Sequence, residues 1–152
     1  MTSRARATRW CAVLLCGLLA VVFPATATAE SMPRHVWSGP LYTIADGPLC
    51  AGPVRLLTTP RGPDSASVQV TGGFFGVSGT GAPCTVEVSV HWRNLDTGGG
   101  GVERGTVEGL WIPSAPIRVM YATVRTGPGL VEMWMEPHRP HNPIPPVYLQ
   151  VP

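Results

Sequence analysis

Cys84-Thr85-Val86-Glu87-Val88-Ser89-Val90-His91-Trp92 is the stretch on which the fold reading turns. Successive side chains of an extended backbone point to opposite faces. Cys84, Val86, Val88, Val90 and Trp92 therefore share one side, and Thr85, Glu87, Ser89 and His91 share the other. The first side is apolar and the second hydrogen-bonds with water. β-Branched valine at alternate positions adds strand propensity to the pattern. The spacing predicts a strand half buried in a sheet core, with the rest of the chain built around it as sheet.

Upstream, His35 to Ile44 reads as a strand broken by Gly39-Pro40. Proline cannot donate to a central ladder, so an edge or a bulge is expected there. Val54 to Thr59 is a second strand, between the turns Asp46-Gly47-Pro48 and Pro60-Arg61-Gly62-Pro63-Asp64. Ser67 to Thr71 and Phe74 to Ser78 flank Gly72-Gly73, which predicts a two-residue hairpin. Downstream, Asn94 to Thr97 and the glycines Gly98 to Gly101 read as a mobile hairpin tip. Val102 to Ile112, Ile117 to Arg125 and Leu130 to Glu136 follow as strands. Pro137 to Pro146 holds five prolines and is expected to be extended, polyproline-like and poorly ordered unless it packs. Val147 to Val151 offers a last edge strand. Glycine or proline interrupts nearly every window long enough for a helix after residue 30. Seven to nine short strands with turns between them predict an all-β, antiparallel two-layer sandwich. A small β-barrel is the alternative.

The first residues set the compartment. Arg4, Arg6 and Arg9 precede the uncharged apolar run Trp10 to Phe23, and Pro24 and Ala-Thr-Ala-Thr-Ala follow. That is the pattern of a signal peptide over residues 1–29, cleaved after Ala29 or, second choice, Ala27. The run falls short of the ~20 residues that span a bilayer, so no membrane anchor is expected after cleavage. Cys16 follows bulky Leu15, where a lipoprotein signal needs a small residue. A domain over residues 30–136 and a Pro-rich tail over residues 137–152 complete the organisation. Removal of Arg4, Arg6 and Arg9 leaves 8 of the 11 basic residues against 9 carboxylates, a net charge of −1. The surplus positive charge sits in the leader, so nucleic acid is not an expected partner. Every basic residue is Arg, which, with abundant Ala, Gly and Pro, reads as the coding bias expected of a GC-rich bacterial genome rather than as chemistry. Cys11 and Cys16 leave with the leader; Cys50 and Cys84 remain, and an exported pair is expected to form a disulfide. Two free thiols or half a metal site are the alternative.

The exported chain, the single cysteine pair and the strand-turn from Val86 through Trp92-Arg93-Asn94-Leu95-Asp96-Thr97 to Gly98 resemble the small secreted immunoglobulin-like proteins of actinobacteria. The resemblance implies an immunoglobulin-like sandwich and no site. In immunoglobulin domains the core Trp lies on a strand between the two cysteines. Here Trp92 follows Cys84 on the same strand, so that core arrangement is not expected.

Three groups of residues could carry chemistry. Met133, Met135, His138 and His141 form Met-x-Met-x-x-His-x-x-His; thioether and imidazole together suit copper. The plainer reading makes both methionines core filler and both histidines solvent residues. Glu132, Trp134 and Glu136 lie on the opposite face of the same strand, with Trp37 as a further exposed aromatic. An indole between carboxylates suits a sugar face, and two carboxylates could act as a glycosidase acid and base. Gly76-Val77-Ser78-Gly79 lacks the spacing of a nucleophile elbow, and His35, His91, Asp46, Asp64 and Asp96 form no triad in sequence. Trp92 is expected in the core, and one residue of Leu110, Trp111 and Ile112 must face outward. The reading is a secreted, monomeric, non-enzymatic binding protein exported by a Sec-type route. Its partner would be a cell-surface protein or glycan, and it would carry no cofactor. Extracytoplasmic copper binding is the first alternative and a small secreted hydrolase the second.

Overall fold

The computed structural model describes residues 35–47, 49–76, 83–109 and 118–152; the signal-peptide reading, Ser78 and Trp111 lie outside them. Nine strands follow in order: β1 (Val36–Trp37), β2 (Leu41–Ile44), β3 (Ala51–Pro60), β4 (Ser65–Gly72), β5 (Cys84–Asn94), β6 (Gly100–Gly109), β7 (Met120–Arg125), β8 (Gly129–Pro137) and β9 (Val147–Val151). No helix occurs among the described residues. All pairings between named strands are antiparallel. One sheet runs β1/β2–β3–β4–β7, with β1 and β2 both on β3; the other runs β6–β5–β8–β9. The chain is an all-β, two-layer antiparallel sandwich. Strand β3 pairs with β4, the strand that follows it.

The alternation in β5 sets the core. Val86, Val88 and Val90 are fully buried in one cluster with Val54, Leu56, Val68 and Val70 of the first sheet. Each such side chain contributes about 1.5–3 kcal/mol by leaving water. Trp92 is half-buried and packs against the edge of this cluster. Cys50 and Cys84 form a disulfide with Cα atoms 5.7 Å apart, which ties the start of β3 to the start of β5. Gly39-Pro40 divides β1 from β2 at the edge of the first sheet, where the missing N–H of Pro40 costs no central ladder bond.

Gly72-Gly73 departs from the sequence reading. The pairs Val54–Gly72 and Ala51–Phe75 share one register, and Gly73 N donates to Pro53 O at 2.9 Å. The chain runs straight on beside β3 rather than reversing. Running on buries Phe74 to 1% exposure, and that burial outweighs the turn preference of two glycines. The glycine run after Thr97 departs as well. Only Gly98 and Gly99 belong to the tip, whereas Gly100 and Gly101 are part of β6. A Cβ on Gly101 would lie 2.8 Å from Trp92 Nε1, so the indole fills the space a side chain would need.

Asn94 holds this end of the sandwich. It is fully buried and bonds through every polar atom of its side chain. Its Nδ2 donates to Thr126 O at 2.9 Å and to Pro128 O at 2.8 Å. Its Oδ1 accepts from Asp96 N at 2.9 Å and Thr97 N at 3.0 Å. The β5–β6 turn is thereby fastened to the β7–β8 turn. Asp96 Oδ2 adds a bond from Leu130 N at 2.9 Å, close over Gly129, whose φ of +119° excludes a side chain.

The Pro-rich segment packs against the sandwich. Ile44 N donates to Pro140 O at 3.3 Å and Asn142 N to Tyr42 O at 3.1 Å. Arg139 pairs with Asp46, and Tyr42 N donates to Asn142 Oδ1 at 2.5 Å. These bonds cover the free edge of β2, a common protection against edge-to-edge aggregation. The chain then returns as β9 beside β8.

Asn94→Ala is expected to cost about 2–4 kcal/mol, because two buried carbonyls and two amides lose their partners. Urea denaturation should show a lower midpoint at unchanged slope. The disulfide closes a loop over a sequence separation of 34, which stabilises the fold by about 3–4 kcal/mol on the chain-entropy relation. Cys50→Ser/Cys84→Ser should lower the melting temperature by roughly 10–20 °C in a calorimetric scan.

Candidate functional site

Because β5 turns its valines inward, its other residues face out from the middle of the second sheet. Antiparallel register sets them in rows with residues of β6 and β8. Val102, His91 and Trp134 form one row; Arg104, Ser89 and Glu136 the next. Gly100, Arg93 and Glu132 form a third, which Tyr148 of β9 extends. Directly opposed side chains lie about 4.5–5.5 Å apart at Cβ, so each row is a contact row.

Charge pairing orders this face. Arg93 reaches Glu132 at 2.8 Å, and Tyr148 O–H donates to Glu132 at 3.1 Å. The Glu132 side chain keeps only 15% of its exposure. The His91 ring lies parallel to the Trp134 indole at 5.1 Å between centroids. Trp134 Nε1 donates to Glu136 Oε1 at 3.2 Å. His91 Nε2 is buried, 3.3 Å from Glu136 Oε2, without completing a hydrogen bond.

Beside Trp134 a groove of about 270 Å³ is lined by Glu132, Trp134, Ile144 and Pro146. The returning Pro-rich segment supplies its far wall. A second, wider groove of about 560 Å³ follows the β2 edge between Tyr42, Ile44, Phe75, Pro140, His141 and Asn142. The outer face of the first sheet also carries Trp37 and Tyr121, each about half exposed, on either side of the Leu57–Gln69 pair.

Among the residues proposed from sequence, Glu132, Trp134 and Glu136 share one face. Trp37 is on the other sheet and takes no part in it. The two carboxylates are four residues apart, roughly 13 Å of strand, with Trp134 between them. Each carboxylate is engaged by other side chains, Glu132 by Arg93 and Tyr148 and Glu136 by Trp134. The four residues of the copper reading lie on different faces. Met133 and Met135 are buried between the sheets, and Met133 Sδ accepts from Thr58 Oγ1 at 3.2 Å. His138 lies over β5 on the outer face, and His141 lies at the β2 edge, bridged to Thr43. Strand alternation separates the thioethers from the imidazoles. Among the described residues no group of three or more His, Cys, Asp or Glu could hold a metal ion.

The sequence reading missed a contact that the structure makes. Ser89 Oγ lies 2.8 Å from His138 Nε2, and His138 Nδ1 lies 3.4 Å from Glu87 Oε2. The backbone N–H of His138 donates to Glu87 O at 2.9 Å, so β8 delivers the ring across β5. The alternation of Glu87 and Ser89 was the available signal. Their meeting with a histidine 49 residues downstream depends on the β5–β8 register.

Comparison with protein-family models, with curated proteins and with solved structures found no match.

The Tyr148 hydroxyl is held above its ordinary pKa near 10, first by the hydrogen bond it donates to Glu132, then by reduced hydration and the Glu132 charge; Arg93 acts in the opposite direction. A raised value means that the folded state favours the protonated phenol. The contact therefore contributes stability below the unfolded tyrosine pKa and loses it as pH rises through the folded value. Ultraviolet titration should show a tyrosine that ionises late, and Glu132→Gln should bring it down towards the ordinary range.

Proposed function

We propose that the protein is exported, works outside the cytoplasm, and binds a glycan of the cell surface in the groove beside Trp134. The carrying observation is the composition of that groove: an indole, an aliphatic wall of Ile144 and Pro146, and a carboxylate fixed by Arg93 and Tyr148. A pyranose ring has an apolar C–H face and a rim of hydroxyl donors. The C–H face matches Trp134 and Pro146, and the hydroxyls match Glu132. Glu132 is held by its two partners, so little side-chain freedom is lost when a ligand arrives. The arginine-rich leader and the disulfide support export, since disulfides persist in oxidising compartments. Binding without turnover is the principal role on this reading, because Glu132 and Glu136 are each held by other side chains.

Titration calorimetry against neutral oligosaccharides tests the proposal. Saturable binding is expected, with Trp134→Ala weakening it at least tenfold, about 1.4 kcal/mol. Absence of saturation, or equal binding by the variant, contradicts it.

A further inference from the structure

The contact of Ser89, His138 and Glu87 goes beyond glycan binding. We propose that Ser89 is a nucleophile towards small carboxylic esters, with His138 as its general base and Glu87 as the residue that positions the ring. Ser89 Oγ is within hydrogen-bond reach of His138 Nε2 at 2.8 Å. Glu87 Oε2 is on the Nδ1 side of the ring at 3.4 Å, which places the carboxylate where it can orient the imidazole while Nε2 faces the serine. This is the order of roles in serine hydrolases, and geometry rather than sequence position defines it. The backbone bond from His138 N to Glu87 O holds base and positioning residue together. Arg104 stands directly across from Ser89 on β6, and its cationic side chain is exposed. It is the cationic residue of that row and the candidate to stabilise a developing oxyanion. Glu136, the opposite neighbour on β8, is engaged by Trp134.

The step balances within these groups. Ser89 Oγ bonds to the ester carbonyl carbon as its proton passes to His138 Nε2. The tetrahedral oxyanion collapses, the carbon–alkoxy bond breaks, and His138 returns the proton to the leaving alcohol. Water then attacks the acyl-serine by the same proton path, releasing the carboxylic acid and the free serine. Ser89 sits on a straight central strand and not on a tight turn, and only 4% of its surface is exposed. The site therefore suits a small acyl group on a good leaving group. Loss of a single oxyanion-hole donor costs some 10²–10³ in rate in dedicated enzymes. Turnover here should be correspondingly slow, and covalent capture is the sensitive readout.

A fluorophosphonate probe and p-nitrophenyl acetate test this on the purified full chain. The phosphonate should add once, at Ser89, with fluoride leaving; peptide mass spectrometry locates the adduct. Ser89→Ala should abolish labelling. His138→Ala, a change at an exposed residue, should slow it by about 100-fold or more at unchanged melting temperature. Glu87→Gln should slow it while Glu87→Asp restores part of the rate, a pattern that a purely structural role would not give. p-Nitrophenol release should follow the same order among variants. A wild-type protein that takes no adduct at Ser89, or labels at the same rate with and without His138, overturns the proposal. Either result leaves the glycan reading untouched, because Trp134 is outside the relay.

Discussion

The two-residue period of β5 is the constraint from which the rest follows. Val86, Val88 and Val90 must lie between the sheets, and that requirement turns Glu87, Ser89 and His91 outward along one line. A slip of one residue would exchange the two sets and place three valines in water. The core therefore sets the position of the polar face without any polar interaction having to do so. β5 is central in its sheet, paired with β6 on one side and β8 on the other. Its outward residues consequently acquire neighbours on both sides, and both candidate sites arise from that position.

The ends of the sandwich are secured by different chemistry. At one end the disulfide and the backbone bridge between Asp46 and Thr85 join the two sheets. At the other, Asn94 uses all four of its side-chain hydrogen-bonding capacities inside the protein. The Pro-rich segment then joins the sheets by a third route. It leaves β8 at His138, covers the β2 edge, and returns past Ile144 and Pro146 to β9. The same segment supplies a wall to each groove, so edge protection and site construction share a single piece of chain.

The sequence made some of this legible and hid the rest for identifiable reasons. Alternation in β5, the Cys50–Cys84 pair and the edge imposed by Pro40 are local signals with one physical outcome, and each appears in the fold. The Gly72-Gly73 turn did not appear, because the gain from burying Phe74 is a tertiary effect invisible to a four-residue window. The residues of the copper reading are divided between faces for a related reason. Met133 and Met135 occupy the inward parity of β8, and the histidines follow where the strand has ended. The Trp134 face was legible because Glu132, Trp134 and Glu136 share a strand. Its partners Arg93, His91 and Tyr148 come from other strands, and only register brings them in. Ser89 and His138 were both visible as residues but not as a pair, since nothing local indicates which strand lies beside β5.

The account thus rests on the β5–β8 register, and cross-strand nuclear Overhauser effects measure it directly. The predicted result is a set of backbone contacts pairing His91 with Trp134 and Ser89 with Glu136, with imidazole protons shifted upfield by the stacked indole. Contacts pairing His91 with Met133 or Met135 would contradict it, since a shift of one residue would dissolve the groove and the relay and turn Met133 and Met135 out of the core.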